Sequence, residues 1–337
     1  MNLFKTLSLR WKYFLGSLFY ASYAPKAYLY SRKRDRLESQ IPVPSTEDLF
    51  VNPGKLLKAE PTAKGAHFYF EKAELEISIL APDLVQVDWF PGIPPVPYAI
   101  SKQDWQEVET ELEETAEGWT VSSKTPAEQA STALKVIISV DGSLKFYDST
   151  GQTLREELPP QRSRQGWTHQ ARLREEEHIY GLGERAAPLN LRAAREVTEK
   201  GEVTDQVKTF RMWNYDAAGM YGPGADPMYI CIPVYLGLHS SGSYLIFYEN
   251  SFEANFTFGD VATAAFEGGA LRYYVTAGSP AQLLERYTEL TGRSPLPPRW
   301  AFNAPSLSPV PVGRGFNGML GLGLAILSVP GRHCALL

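Results

Sequence analysis

The stretch ELEISILAPDLVQVDWF, residues 74–90, decides the fold class of this chain. On both sides of Pro82-Asp83, apolar residues alternate with polar ones, which is the period of a half-buried β-strand and not that of a helix. The apolar set is Leu75, Ile77 and Ile79 before the turn and Val85, Val87 and Trp89 after it. The stretch therefore predicts two strands that each turn one face to a hydrophobic core.

The same period of two extends over most of residues 41–296. Residues 134–147 are typical of a hairpin, and Asp141-Gly142 predicts a type I′ turn, which needs positive φ angles at both central residues. Further strands are predicted at residues 230–238, 244–248, 254–258 and 271–275. Many short strands punctuated by glycine and proline predict an all-β fold, a large antiparallel β-sandwich.

One helix is predicted after these strands. Ser279 is a candidate N-cap, Pro280 suits the first helical position, and Gly292 suits the residue after the helix. The predicted apolar face consists of Leu283, Leu284, Tyr287 and Leu290, which recur at helical spacing. The pattern therefore predicts a C-terminal helix packed on the sandwich.

Residues 1–40 differ from this region in composition. An uncharged run at residues 13–25 is followed by a basic cluster at residues 31–36. The run is shorter than the roughly 20 residues that a membrane-spanning helix needs. We interpret residues 1–40 as an amphipathic leader helix packed on the protein. Interfacial membrane contact by residues 11–36 and a secretory signal are the alternatives.

Residues 297–337 begin with a proline-rich linker, Pro297-Pro298-Arg299-Trp300, and then contain no acidic residue. The apolar stretch at residues 318–329 is too short to cross a membrane, and its glycines weaken it as a helix. We interpret the segment as an aberrant or disordered tail, with a short hydrophobic interaction tail as the alternative.

The composition excludes some classes of function. The net charge of −5 and the absence of a broad basic field make a nucleic acid an unlikely partner. The two cysteines, Cys231 and Cys334, provide no disulfide framework and no zinc-ligand spacing. This cysteine usage favours a cytoplasmic protein, and Cys231, between two isoleucines, is predicted to be a small buried residue.

Three stretches together resemble glycoside hydrolase family 31, the α-glucosidase type. The first is HIYGLGER at residues 178–185, similar to the family's "fyGLGE" element. The second is MWNYD at residues 212–216, followed by Gly219, Tyr221, DPMY at residues 226–229 and Ile232-Pro233. The third is the predicted helix with the proline-rich linker. The resemblance covers about residues 65–301 and implies the family's N-terminal, galactose-mutarotase-like β-sandwich, here residues 41–296.

The resemblance ends at Phe302, where the family begins its catalytic (β/α)₈ barrel. Such a barrel needs about 250 residues, and in the family both catalytic aspartates lie in it, the nucleophile within Trp-x-Asp-Met-Asn. No such segment occurs in this sequence. We therefore expect an N-terminal module that is inactive alone, with no catalytic residue, metal or organic cofactor of its own and an α-glucoside or oligosaccharide as a weakly bound partner.

Asp216 is the principal candidate for substrate contact. In the family, a sandwich loop with Asn-x-Asp reaches over the barrel mouth, and its aspartate accepts hydrogen bonds from sugar hydroxyls; a carboxylate can accept two at once. Asn214 and Trp213 belong to the same loop and are further candidates for substrate contact. The alternatives are that Asp216 only caps its turn and that Trp213 is a buried anchor rather than a sugar-stacking wall.

Other polar residues are assigned structural roles. Glu184 is predicted to be a structural carboxylate that bonds loop amides, and Gly181 and Gly183 are predicted to serve turn geometry or close packing. The run at residues 175–177 is predicted to be a solvated acidic segment. His67, His169 and His239, which stand alone in the sequence, are each predicted to be surface or packed residues.

Two further functions remain open. A free-standing carbohydrate-binding β-sandwich would bind maltose-type sugars through Asp216. A relative of the aldose epimerases, which also use a large β-sandwich, would need a histidine and a glutamate that converge as acid and base. No motif in the sequence places such a pair.

Overall fold

The computed structural model describes residues 24–38, 52–92, 99–124, 132–163, 166–198, 200–214, 226 and 230–296. Its internal contacts divide the chain into two units, Met1–Thr46 and Glu47–Leu337. In the first unit the described part is a helix, α1 (Ala24–Glu38). No helix in the described ranges is long and apolar enough to cross a membrane. The linker and tail after residue 296 lie outside the described residues, and their interpretation stays a prediction.

The second unit is built almost entirely of strands. The first ten are β1 (Leu56–Thr62), β2 (Gly65–Phe70), β3 (Glu74–Ala81), β4 (Leu84–Phe90), β5 (Thr110–Thr115), β6 (Gly118–Ser123), β7 (Lys135–Ser139), β8 (Leu144–Tyr147), β9 (Thr153–Glu157) and β10 (Gln161–Arg162). The others are β11 (Trp167–Arg172), β12 (His178–Gly183), β13 (Arg195–Val197), β14 (Val203–Val207), β15 (Thr209–Met212), β16 (Cys231–His239), β17 (Gly242–Tyr248), β18 (Ala254–Phe258), β19 (Val261–Phe266) and β20 (Leu271–Ala277). A 3₁₀ turn (Leu191–Ala193) and helix α2 (Pro280–Thr291) complete the unit.

The strands form two large antiparallel sheets. The eight-stranded sheet has the order β1-β2-β3-β4-β20-β17-β16-β12, so the last of the described strands lies in its middle. The ten-stranded sheet has the order β15-β18-β19-β11-β9-β8-β7-β6-β5, with β10 paired to β11. Strands β13 and β14 form a separate hairpin. The predicted all-β sandwich is confirmed.

The hydrophobic core lies between the two sheets. The stretch at residues 74–90 forms β3 and β4, and its alternating apolar residues point inward as predicted. Leu75, Ile77, Val85 and Val87 are each 0% exposed, and they share one cluster with side chains from the ten-stranded sheet. Burial of a side chain of this size contributes about 1.5–3 kcal/mol, which explains why a period of two decides the fold.

The hairpin at residues 134–147 is confirmed as β7 and β8, but its predicted turn type is wrong. The Gly142 amide donates to Ser139 O at 3.0 Å, and Gly142 has a φ of +88°. Asp141 is not among the described residues with positive φ, so the type I′ requirement is not met. Asp141 instead accepts from Ser143 N at 2.9 Å, and this bond stabilises a three-residue loop with glycine in the left-handed position.

Helix α2 begins and ends where the sequence predicts. Gln282 Oε1 accepts from the Ser279 amide at 2.9 Å, which satisfies a donor at the helix N-terminus. Leu283 and Leu290 are buried against the outer face of the eight-stranded sheet. Leu284 was predicted to lie on the same face, yet it is 56% exposed, because it is rotated by about 100° from Leu283 around the helix.

Candidate functional site

The turn at the end of β12 requires glycine. Leu182 has a φ of +64° and Gly183 a φ of +80°, and the register with β16 shifts between Gly181 and Gly183. A Cβ atom at Gly183 would lie 2.4 Å from Ile230 O on the neighbouring segment. The prediction that these glycines serve turn geometry and close packing is therefore confirmed, and the bulge turns the chain away from the sheet into the loop with Arg185.

A Gly183→Ala substitution should therefore lower the free energy of unfolding by about 2–4 kcal/mol, the combined effect of backbone strain and steric conflict. Gly151→Ala is the matched control, because Gly151 has a φ of +83° with nothing within 4 Å of the added Cβ. Chemical denaturation of both variants measures the difference. Equal losses in the two variants would show that close approach to Ile230 does not matter.

Arg185 joins the two motif segments that carry the family resemblance. Its guanidinium donates to Leu182 O at 3.1 Å and to Arg211 O at 2.8 Å, and it forms an ion pair with Asp226. The side chains of Arg185 and Asp226 are only 3% and 4% exposed. The other oxygen of Asp226 accepts from Arg211 N at 3.1 Å. A buried, fully bonded pair of this kind fixes the position of both segments.

Trp213 and Asn214 follow closely after Arg211, whose backbone bonds both members of this ion pair. Asn214 Oδ1 accepts from Cys231 N at 2.7 Å, so this oxygen anchors the loop to the start of β16. Trp213 is 49% exposed, with the Arg211 guanidinium 5.1 Å from its ring centre. Asp216 lies outside the described residues, so its role stays a prediction. The exposure of Trp213 argues against the buried-anchor alternative.

Two further predictions concern this corner of the fold, the region around Arg185, Asp226, Trp213 and Asn214. The amide of Glu184 donates to Ile230 O at 2.8 Å, whereas its exposed carboxylate makes no hydrogen bond within the described ranges. The predicted structural role of that carboxylate therefore finds no support. Cys231 is half-buried. Burial raises the pKa of its thiol, although Arg185 has the opposite effect. The raised pKa disfavours the reactive thiolate.

A second polar cluster, the interior cluster, lies between the sheets and was not predicted. It is centred on Arg155 and Glu157 of β9 and His169 of β11. Arg155 Nε donates to Glu157 Oε1 at 2.6 Å, and His169 Nε2 lies 3.2 Å from Glu157 Oε2. All three side chains are 1% exposed. Burial by itself raises the pKa of Glu157, but His169 and Arg155 outweigh it and lower this pKa to about 2.

Tyrosines enclose the interior cluster and satisfy its remaining groups. Arg155 Nη1 donates to the hydroxyls of Tyr235 and Tyr244 at 2.8 and 3.2 Å, and Tyr273 donates to Glu157. Tyr244 in turn donates to Glu177 Oε1 at 2.6 Å. Glu177 is only 3% exposed, so the prediction of a solvated acidic run is wrong at this residue. It holds for Glu175 and Glu176, which are exposed.

The interior cluster does contain the histidine–glutamate pair that an epimerase needs and that the sequence did not reveal. His169 lies 2.9 Å from the Tyr248 hydroxyl and stacks on Tyr273 with ring centres 4.6 Å apart. Every face of the pair is thus occupied by protein, which leaves no room for a sugar beside Glu157. The geometry supports a structural role for the pair, not acid–base catalysis.

A third polar cluster, the outer cluster, lies on the face of the eight-stranded sheet that points away from the core. Glu249 follows β17, is 1% exposed and accepts from the Tyr274 hydroxyl at 2.9 Å. Arg272 lies 3.8 Å from the same carboxylate and donates to Asp88 at 2.5 Å. The other oxygen of Glu249 has no hydrogen-bond partner among the residues that the structure describes. Burial raises the pKa of Glu249 to about 7, against the opposing effects of Tyr274 and Arg272.

The described residues offer little else that resembles a site. A groove of about 570 Å³ lies between α2 and the segment at residues 102–109. Its aromatic residue, Trp105, already has the Lys102 ammonium 4.1 Å from its ring centre. No group of three or more metal-ligating side chains occurs within the described ranges. The corner with Trp213 and Asn214 is therefore the best candidate for contact with a ligand.

Comparison with known proteins identifies the family to which the sandwich belongs. The family model of the glycosyl hydrolase 31 N-terminal galactose mutarotase-like domain matches residues 74–256. Alpha-glucosidase 2 of Bacillus thermoamyloliquefaciens is 38% identical over 132 residues, which are 38% of this chain and 15% of that protein. Alpha-xylosidase XylQ of Lactiplantibacillus pentosus is 33% identical over 185 residues, which are 50% of this chain and 21% of that protein. The chain thus spans about a fifth or less of the length of these relatives.

Solved structures show the same fold. A Flavobacterium johnsoniae GH31 dextranase in complex with isomaltotriose superposes with a TM-score of 0.61 at 19% identity, over 75% of this chain and 30% of the other. A GH31 alpha-xylosidase from a soil metagenome in complex with xylose superposes with a TM-score of 0.54 at 16% identity, over 72% of this chain and 36% of the other. Because the family model covers more than half of the residues and agrees with the sandwich described above, this chain belongs to the glycoside hydrolase family 31, as its N-terminal galactose mutarotase-like domain.

Proposed function

We propose that this chain acts as the N-terminal module of an α-glucosidase-type glycoside hydrolase and supplies a loop that contacts the substrate at the rim of the catalytic site. The observation that carries the proposal is the buried Arg185–Asp226 ion pair, which brings the two family motifs together beside Trp213 and Asn214. The names of the relatives, α-glucosidases and α-xylosidases, support an α-linked sugar as the ligand class.

The loop residues suit different parts of this task. Asp216 lies two residues after Asn214. Its carboxylate would accept hydrogen bonds from two adjacent sugar hydroxyls at once, because both of its oxygens accept hydrogen bonds and neither donates one. The exposed ring of Trp213 would face the apolar side of a sugar. Asn214 would hold the loop in place, because its side-chain oxygen already binds the Cys231 amide.

We assign substrate contact, and not bond cleavage, to this module. A retaining glycosidase needs two carboxyl groups about 5–5.5 Å apart on either side of the scissile bond. The family's nucleophile motif, Trp-x-Asp-Met-Asn, does not occur in this sequence, and the carboxylate of Glu157 is enclosed by protein.

The free thiol of Cys231 and the absence of a disulfide framework support a cytoplasmic setting.

Saturation-transfer NMR of the full chain with maltose tests the assignment. We expect weak binding, with a dissociation constant in the millimolar range or above, that is lost in Asp216→Ala, because removal of the carboxylate leaves the sugar hydroxyls without their acceptor. Asp260→Ala is the matched control, since Asp260 is a fully exposed aspartate in another turn. An unchanged signal in Asp216→Ala would contradict the rim-loop assignment.

Two other outcomes separate the competing functions. Micromolar binding by the isolated chain would favour a free-standing carbohydrate-binding sandwich, to which the exposed Trp213 is also suited. Release of glucose from maltose at an enzyme-like rate would contradict the assignment of substrate contact without bond cleavage to this module, because it would require catalytic carboxyl groups within this chain.

A further inference from the structure

The first 38 residues carry a charge opposite to that of the rest of the chain. They contain eight Lys or Arg and two Asp or Glu, a net charge of +6. Residues 39–337 contain 25 basic and 36 acidic residues, a net charge of −11. A short terminal segment with such an opposite charge indicates an anionic binding partner.

Helix α1 presents apolar as well as cationic side chains to solvent. Tyr28 is 62% exposed, Leu29 65% and Tyr30 70%. Arg32 and Lys33 are exposed in the following turn, and the Arg32 guanidinium lies 5.9 Å from the centre of the Tyr28 ring. Exposed large apolar groups next to basic groups are typical of a surface that binds a partner which is both anionic and apolar.

We propose that α1 binds the surface of a membrane that contains anionic phospholipids. Tyrosine rings favour the headgroup level of a bilayer, and basic residues beside them are attracted to an anionic leaflet. The helix would lie along the bilayer surface, with its tyrosine rings at the level of the headgroups.

An RNA backbone would attract the same basic groups but would gain less from the aliphatic side chain of Leu29. Leu29 gains free energy by leaving water for an acyl boundary, whereas a phosphate backbone offers it no apolar contact. The tyrosines would stack on bases as well as lie among headgroups, so they do not discriminate. Leu29, with 65% of its surface in solvent, is the residue that favours a lipid partner.

Co-sedimentation of the full chain with vesicles tests the proposal. We expect binding to vesicles of mixed phosphatidylcholine and phosphatidylserine, weaker binding as salt rises, and no binding to phosphatidylcholine alone. The double variant Arg32→Gln/Lys33→Gln should weaken binding by on the order of thirtyfold, because each basic residue near an anionic leaflet contributes about a fivefold factor. Glutamine keeps the helix propensity of the basic residues, so α1 is retained.

A matched control separates local from global charge effects. Lys72→Gln/Lys135→Gln removes two exposed basic residues from the sandwich, and it should leave vesicle binding unchanged. Leu29→Ala should weaken vesicle binding without changing its salt dependence. Equal losses in both double variants, or tight binding to homopolymeric RNA together with no binding to phosphatidylserine vesicles, would overturn the proposal.

Discussion

Replacement of Arg155 by alanine is expected to lower the free energy of unfolding by about 3–5 kcal/mol, because it leaves the buried Glu157 without its arginine partner. Arg155 also donates to two tyrosine hydroxyls, so the substitution leaves several buried groups unpaired. Arg172→Ala is the matched control: Arg172 lies on neighbouring β11 with its side chain exposed, and its loss should change stability by less than about 0.5 kcal/mol.

The same variant should also shift the acid unfolding of the protein. The folded pKa of Glu157 is about 2, below its value of 4.5 in the unfolded chain. Its contribution to stability is therefore present above pH 4.5 and is lost as the pH falls toward 2. Without Arg155 the folded pKa rises, so unfolding should begin at higher pH. Identical acid midpoints for the variant and the parent protein would contradict the assignment of Glu157 as a buried, paired carboxylate.

Glu249→Gln is expected to stabilise the protein above pH 7, by up to about 3 kcal/mol. The folded pKa of Glu249 is about 7, above its unfolded value of 4.5. Between these values the folded protein holds a proton that the unfolded chain has released, so this contribution to stability is present below pH 4.5 and is lost as the pH rises through 7. Glutamine carries no charge, so the variant does not lose this stability as the pH rises through 7.

Urea unfolding at pH 5, 6, 7 and 8 measures this effect. The difference in stability between Glu249→Gln and the parent protein should grow with pH across this range. Glu113→Gln serves as the control, because Glu113 on β5 is exposed and its removal should leave the pH profile unchanged. A constant difference between Glu249→Gln and the parent protein at all four pH values would show that Glu249 titrates at an ordinary pKa.

The strands and the C-terminal helix were predictable because local patterns determine them. The stretch at residues 74–90 carries its alternation in adjacent positions, and α2 carries its N-cap, Pro280 and Gly292 in the sequence itself. The turn between β7 and β8 was mispredicted because Asp-Gly occurs in both a two-residue and a three-residue loop. Only the observed register, in which Ser139 N donates to Ser143 O at 2.9 Å, distinguishes them.

The interior cluster was not predictable in the same way. Its members come from strands far apart in the sequence, and TLREE at residues 153–157 reads as a polar, exposed strand. One signal was available: Tyr244, Tyr248 and Tyr273 lie at inward positions of apolar strands, and buried tyrosine hydroxyls need polar partners. The corner with Arg185 was found through the family motifs, but its central contact, the ion pair with Asp226, depends on the fold.

The position of β20 has a consequence for synthesis on the ribosome. Strands β4 and β17 both pair with β20, which is made after every other described strand. Until residue 277 has left the exit tunnel, each of these two strands must present an unsatisfied edge to solvent. Until β20 emerges, a nascent chain of this kind is vulnerable to intermolecular strand pairing. We therefore expect chaperones to engage it before completion of the sandwich closes both edges in a single late step.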